Sequence, residues 1–292
     1  MSGVDFHYSY PFTDFLVVSA VCLAVVVALM VLTAVLTRIT GRVSVVDTIW
    51  GLGFIAVTVT AVLFGRARLR ANEGEGWFSY NPLDHSGAVG RALQQNDDRG
   101  ILLILLVLIW GGRLAWHIGS RSHGGGEDPR YTELMGKGSG GLIRKVLLPQ
   151  GLAIWFVSMP IQVTVVAGHH VSWVLWIGVA LFAVGLAFET IGDAQLASYK
   201  KDPARGPVMD RGLWRYTRHP NYFGDACVWW GIYLVCASSW PGIFTILSPV
   251  AMTYFLVFAT GARLLERTMM QRSGYPEYAA RTSMFFPLPP RR

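Results

Sequence analysis

The sequence predicts an all-α membrane protein, a single bundle of about seven transmembrane helices over residues 1–292. Hydrophobic residues make up 52% of the chain and charged residues only 15%, whereas soluble domains carry roughly 25% charged residues. Several apolar runs also reach the length of about 20 residues that a helix needs to cross a bilayer. Because lipid offers no partners to backbone polar groups, these runs are expected to be helices.

Apolar windows place the transmembrane helices along the chain. They cover residues 15–37, 43–64, 100–119, 146–167, 171–192, 221–238 and 242–262. The tail before the first window carries Asp5 and Asp14 and lacks the positive charge of a signal peptide, so this window is expected to remain as a helix.

The breaks between the windows have their own composition. Gly41 and Arg42 separate the first two windows, and Gly65 to Arg99 is predicted to be a long polar loop. Gly168, His169 and His170 separate the fourth window from the fifth, and Trp240-Pro-Gly turns the sixth into the seventh.

The cysteines lie inside apolar runs without CxxC spacing, at positions 22, 227 and 236. We therefore expect them to pack in the core, and the sequence predicts no metal site.

Lys and Arg counts predict the orientation. With the N-terminus outside, the predicted inner segments carry 19 of these residues and the outer segments carry five, all between Gly65 and Arg99. The positive-inside rule then places the C-terminus in the cytoplasm. It also accounts for the net charge of +7 without a nucleic-acid partner.

Charged residues at bilayer depth are costly and need a partner, a cavity or a function. They are Asp47, Arg113, Glu189, Asp193, Asp225 and Glu266. Glu189 and Asp193 share one helix face, as do Asn221 and Asp225, and these faces flank the basic loop from 200 to 218. The pattern predicts a polar, arginine-ringed cavity for a large anionic ligand. Alternatively, the carboxylates pair with loop arginines and only hold the helix ends.

The segment from Asp210 to Asp225 is the richest in reactive side chains. Pro220 suits the first position of a helix, and a helix N-terminus beside Arg215 and Arg218 favours phosphate. His219 is a candidate acid, base or hydrogen-bond donor, or a structural cap.

The segment Arg211-Gly-Leu-Trp-Arg-Tyr-Thr-Arg-His-Pro-Asn-Tyr-Phe-Gly-Asp225 and the tail from Gly274 to Pro287 resemble the steroid 5-alpha-reductase superfamily. More narrowly, they resemble its bacterial branch, DUF1295. The likeness extends to 46–53, 110–113 and 126–131. It implies a seven-helix bundle in which NADPH occupies a cytoplasm-facing pocket and reduces a carbon–carbon double bond of a lipid. It also implies the bacterial inner membrane as the location.

The resemblance implies a cofactor-binding set, mostly from residues 190–292. Its members are Arg113, Asp193, Arg205, Arg211, Arg215, Tyr216, Arg218, His219, Asn221, Tyr222 and Asp225. The arginines of the loop would neutralise the pyrophosphate and the 2′-phosphate, which favours NADPH over NADH.

The chain departs from the family at the substrate. Where the steroid reductases use a glutamate and a tyrosine to polarise the substrate carbonyl, this chain offers Asp47 and Trp110, and Trp110 has no acidic O–H to donate. The predicted catalytic residues are therefore Asp47, Tyr131 and His219. The predicted substrate contacts are Asp47, Trp50, Trp110 and His117.

Two other functions remain open. Membrane methyltransferases of the isoprenylcysteine and phospholipid type also carry an Arg-His-Pro-x-Tyr-x-Gly element, which in them binds S-adenosylmethionine. That ligand has no phosphate, so a pocket built from several arginines would favour the dinucleotide. The third reading is a non-catalytic lipid-binding protein that kept the fold. In each case the expected partners are the membrane and a lipid from the bilayer.

Overall fold

The structure, a computed structural model, describes residues 10–72, 88–122, 126–128, 131–132, 134, 141–167, 171–259 and 261–291. In these ranges the chain is helical and forms no β-strand, apart from a single bridge between Thr217 and Ser283. The predicted all-α fold class is confirmed.

The described residues form ten α-helices along the chain. They are α1 Phe12–Thr40, α2 Val45–Asn72, α3 Ala88–Ser122, α4 Leu148–Val157, α5 Met159–Thr164, α6 Ser172–Lys201, α7 Pro220–Ala237, α8 Leu247–Tyr254, α9 Ala262–Met269 and α10 Tyr275–Arg281. Leu142–Leu147 and Phe255–Ala259 are π-helical, and Gly212–Arg215 and Trp240–Thr245 are 3₁₀ turns.

Six stretches of the described chain are long and apolar enough to cross a membrane. They are Phe12–Thr40, Val45–Leu69, Asp98–Ser120, Leu142–Thr164, Ser172–Lys201 and Trp240–Met269. The remaining predicted span, 221–238, forms α7, whose first two turns contain Asn221 and Asp225. Six such stretches and one more polar helix agree with the predicted number of about seven. The orientation of the termini stays a prediction.

The predicted polar loop between Gly65 and Arg99 is wrong at both of its ends. Helix α2 continues to Asn72 and α3 already begins at Ala88, while 73–87 lie outside the described residues. The segment after Gly65 is rich in Arg, Ala and Leu, which are strong helix formers, so polarity alone did not indicate a loop there. The predicted break at 168–170 also lies outside the described residues.

Arg99, the last residue of the predicted loop, belongs to the core. Its side chain is buried and donates to the carbonyl oxygens of Thr164 and Ala167, each at 2.7 Å, and to the Ser239 hydroxyl. The three cysteine thiols are buried as expected.

The chain divides into two compact units. Unit 1 comprises Met1–Val171 and Cys236–Thr245, and unit 2 comprises Ser172–Val235 and Ile246–Arg292. A single domain over 1–292 stays a prediction.

In unit 2, glycines bring α6 and α7 into backbone contact. A methyl group added at Gly185 would lie 2.5 Å from the carbonyl oxygen of Gly224 and 2.6 Å from the amide nitrogen of Val228. Gly178 stands in the same relation to Gly231 and Val235. Small residues at a helix interface allow this close approach in membranes, and it holds the predicted acidic faces of the two helices together.

Replacing Gly185 with alanine is expected to destabilise the protein by about 1–3 kcal/mol, because backbone atoms cannot move aside for the added methyl group. Thermal unfolding in detergent measures the effect. Gly112→Ala is the matched control, since nothing lies within 4 Å of its added methyl group, and alanine favours a helix. Equal unfolding temperatures for the two variants would contradict the close contact.

Candidate functional site

The loop that precedes α7 is fixed to the end of α6. The backbone N–H of Leu213 donates to Gln195 Oε1 at 3.0 Å, and the indole N–H of Trp214 donates to the carbonyl of Gly192 at 3.0 Å. Gly212 has a φ of 59°, a conformation that glycine adopts without strain. Its Cα faces the Gln195 side chain so closely that an added Cβ would overlap it.

The C-terminal tail runs beside this loop. The N–H of Arg218 donates to the carbonyl of Ser283 at 2.9 Å, and the N–H of Leu288 donates to the carbonyl of Tyr216 at 3.0 Å. The Thr217 hydroxyl is buried and lies 2.9 Å from the carbonyl oxygen of Phe285. Loop and tail therefore form one surface.

A single carboxylate, Glu266, joins the loop to α9 and α10. Arg218 donates to both of its oxygens at 2.8 Å, through Nε and Nη2. His219 Nε2 lies 3.0 Å from the same carboxylate, and the Tyr275 hydroxyl donates to it at 2.8 Å. Burial raises the pKa of Tyr275 above its ordinary value, and the hydrogen bond to Glu266 raises it further, so the phenol stays a neutral donor.

The remaining Arg218 nitrogen, Nη1, donates to the carbonyls of Ala279 and Thr282 at 2.8 and 2.7 Å. In this arrangement the Arg218 guanidinium links parts of the protein, and its predicted role at the cofactor is untested. The His219 ring stacks on Tyr222 with 5.5 Å between centroids.

The predicted acidic and amide groups of α6 and α7 are neighbours. The Asn221 amide donates to Asp193 Oδ1 at 3.2 Å, and the Asn221 side-chain oxygen accepts the N–H of Tyr222 at 3.1 Å. Asp225 follows one turn later on α7 and is buried. These contacts place a polar cluster at the junction of the two helices.

A groove of about 660 Å³ opens between the loop and the tail. The loop contributes Asp210, Arg211, Gly212 and Arg215, and the tail contributes Arg281 and Arg291. Arg281 pairs with Asp210 at 2.7 Å. The groove carries four arginines and one carboxylate, which is a strongly anion-attracting surface.

A smaller cleft of about 330 Å³ shares Asp210, Arg211 and Arg281 with this groove. Its wall includes Tyr199 and Arg205, and the Arg205 guanidinium lies 6.0 Å from the centre of the Tyr199 ring. Arg205 is anchored by a hydrogen bond to the carbonyl of Lys200 at 2.7 Å.

Unit 1 contains a second polar cluster. The Tyr131 hydroxyl, which belongs to a buried residue, donates to Asp47 Oδ1. Glu127 accepts the N–H groups of Val43 and Ser44 at the start of α2, the latter at 3.0 Å. Burial alone would raise the pKa of Glu127, but these backbone hydrogen bonds lower it below its ordinary value, so the carboxylate is charged when it caps the helix.

The predicted aromatic substrate contacts pack in a row. Trp50 and Phe54 lie 5.5 Å apart and Phe54 and Trp110 lie 5.6 Å apart, both edge to face. Trp110 is fully buried, and the Trp50 indole donates to the Gln150 side chain. Arg113 and His117 follow on α3 and are half-buried.

The family model of DUF1295, described as a protein of unknown function, matches residues 85–282. The chain belongs to the DUF1295 family. A stretch of 77 residues is 37% identical to the steroid 5-alpha-reductase DET2 of Arabidopsis thaliana. It covers 26% of this chain and 29% of that protein, so less than a third of the relative is represented. No solved structure matches. The resemblance to the steroid 5-alpha-reductase superfamily is confirmed.

In this DUF1295 protein, Asp193 is hydrogen-bonded to Asn221, and Asp47 is hydrogen-bonded to Tyr131. Arg211 and Arg215 line the same groove. The sequence alone does not indicate three contributors to this surface. Glu266 stands out in the sequence as a charge at bilayer depth, but its partners do not, and Arg281 and Arg291 stand out only as positive charges. Arg281 lies within the family-like tail from Gly274 to Pro287, which is the signal that could have indicated it, whereas Glu266 and Arg291 lie outside that tail.

Proposed function

We propose that this DUF1295 protein is a membrane-embedded, NADPH-dependent reductase of a carbon–carbon double bond in a steroid-like or other lipid. The family, the reductase among its relatives and the membrane-spanning helices support a reductase-like membrane protein. The nicotinamide cofactor, when bound, supplies the hydride.

The arginine groove is the observation that carries the proposal. It is an open groove of about 660 Å³, and the arginines that line it are exposed. Within the described part of the chain, the guanidinium groups of Arg211, Arg215 and Arg291 have no protein partner. Free guanidinium groups that line a cavity suit a phosphate-bearing ligand, because they bind its oxygens in pairs.

The groove is connected to the end of α6 through Gly212, which lines the groove and packs against the Gln195 side chain. Arg211 and Arg215 would bind phosphate oxygens, while Asn221 and Asp193 offer a donor and an acceptor for hydroxyl or amide groups. In unit 1, the Tyr131 hydroxyl donates a hydrogen bond to Asp47. Tyr131 is the proposed proton donor to the substrate carbon.

Replacing Arg215 with alanine is expected to weaken NADPH binding by about tenfold, the loss of one charge-assisted contact. S-adenosylmethionine has a sulfonium and no phosphate, so its binding, if any, should not change. Titration of detergent-purified protein, followed by fluorescence or heat, measures both ligands.

Arg272→Ala is the matched control, because Arg272 is exposed in the same unit and does not line the groove. NADPH binding that Arg215→Ala leaves intact would argue against the groove as the cofactor site. Tight binding of S-adenosylmethionine without binding of NADPH would favour a methyltransferase instead.

A further inference from the structure

The last membrane-spanning stretch, Trp240–Met269, carries a pair of exposed aromatic rings in unit 2. Tyr254 and Phe258 are 55% and 45% exposed, and their rings stack with 5.6 Å between centroids. Exposed rings on such a stretch contact lipid, and aromatic side chains collect at the depth of the lipid headgroups. We therefore expect this pair to lie where acyl chains meet headgroups.

Helix α9 follows the aromatic pair and carries two exposed arginines. Arg263 and Arg267 are four residues apart, so they share one face of the helix. The Arg263 guanidinium lies 4.3 Å from the centre of the Phe258 ring, which is within the range of a cation–π contact. Two stacked rings thus lead directly to two positive charges. We call Tyr254, Phe258, Arg263 and Arg267 the aromatic–arginine surface.

The positive charges of this surface are not balanced within the described part of the chain. Neither arginine forms an ion pair there. Glu266 belongs to the same helix, but its carboxylate is only 13% exposed and binds Arg218, His219 and Tyr275 instead. Helix α9 therefore turns its acid toward the protein and its arginines away from it, so the exposed face attracts an anion.

A phospholipid with an anionic headgroup fits both parts of this surface. Its phosphate accepts charge-assisted hydrogen bonds from guanidinium groups, and its acyl chain packs against the two stacked rings. The predicted orientation places this end of the stretch at the cytoplasmic leaflet, which is the leaflet that carries anionic lipid. Each arginine near such a membrane surface strengthens binding by about fivefold. A soluble phosphate would use the arginines alone.

We propose that the aromatic–arginine surface is a binding site for an anionic phospholipid of the surrounding bilayer. None of its four residues lines the groove or the smaller cleft. The lipid site is therefore separate from the proposed cofactor site, and it does not depend on the proposed function.

The test titrates full-length protein in detergent with phosphatidylglycerol or phosphatidylcholine, and native mass spectrometry measures how much lipid stays bound. Wild-type protein is expected to bind phosphatidylglycerol about 20-fold more tightly. The double variant Arg263→Gln, Arg267→Gln should lose most of this preference and keep its affinity for phosphatidylcholine. The charge-matched control is Lys201→Gln, Arg272→Gln, which changes two exposed residues of the same unit outside this surface and should behave as wild type.

Several results would overturn the proposal. An equal loss of preference in the control would mean that net charge alone attracts the lipid. Displacement of phosphatidylglycerol by millimolar glycerol 3-phosphate would identify a site for soluble phosphate, because this probe has no acyl chain. A dimer in the same spectra that the Arg263→Gln, Arg267→Gln variant abolishes, without any lipid preference, would assign the surface to a second copy of the chain.

A separate titration keeps this proposal distinct from the proposed function. In lipid-free detergent, the Arg263→Gln, Arg267→Gln variant is expected to bind NADPH as wild type does, since neither arginine lines the groove. Loss of the lipid preference with NADPH binding intact is the result that the lipid site predicts. A wild-type protein that binds NADPH but does not distinguish the two lipids would remove the lipid site and leave the reductase proposal standing.

Discussion

Replacing Glu266 with alanine is expected to lower the free energy of unfolding by about 3–5 kcal/mol, the usual cost of removing one partner from a buried ion pair. The side chains of Arg218 and Glu266 are only 11% and 13% exposed. Without the Glu266 carboxylate, the Arg218 charge has lost its ion-pair partner. His219 and Tyr275 also lose the group to which they are hydrogen-bonded. Chemical denaturation in detergent measures the change.

The control for this variant is Glu277→Ala, which removes an exposed carboxylate from the neighbouring helix α10. Glu277→Ala should unfold like wild type. Because Glu266 joins the loop to the tail, its loss should also loosen the groove, so NADPH affinity is expected to fall together with stability. Equal stability of the two alanine variants would mean that the Glu266 contacts do not hold this surface together.

Replacing Tyr131 with phenylalanine is expected to slow reduction by about 100-fold, within the usual contribution of a positioned proton donor, and to leave NADPH affinity unchanged. In the proposed reaction, hydride goes to one carbon of the double bond and a proton goes to the other. Protein, a bacterial lipid extract and NADPH deuterated at the transferred position are combined, and mass spectrometry follows deuterium transfer into lipid.

Tyr10→Phe is the matched control for this experiment. Tyr10 belongs to the same unit and its hydroxyl donates to the carbonyl of Val163 at 2.9 Å, so the substitution also removes one hydroxyl hydrogen bond. Undiminished deuterium transfer by Tyr131→Phe would remove this residue as the proton donor.

The sequence predicts the transmembrane helices well because the solvent sets their length. A lipid core about 30 Å thick requires about 20 apolar residues whatever the fold, and the six spans agree with windows drawn from composition alone. The loop predicted between Gly65 and Arg99 is too long, because the end of α2 and the start of α3 continue as helices through polar residues. A polar run marks where the apolar stretch ends, whereas helix propensity decides where the helix ends.

The candidate site can likewise be predicted from the sequence only in part. Helical spacing puts Asp193 and Asn221 on their helix faces, and the glycine contacts that bring those faces together were not visible in either helix alone. Glu266 lies 48 residues from Arg218 and Arg281 lies 71 residues from Asp210. Contacts between such distant positions depend on the path of the tail, and no local pattern encodes that path.

The groove between loop and tail is proposed to bind the phosphates of a nicotinamide cofactor. Titration of NADPH into wild-type protein and into the Arg211→Ala, Arg215→Ala double variant, at low and high salt, tests it most directly. We predict saturable binding that weakens with salt and falls by about 100-fold in the double variant. No saturable NADPH binding by the folded wild-type protein at millimolar concentration, or equal affinity in the double variant, would contradict this role of the groove.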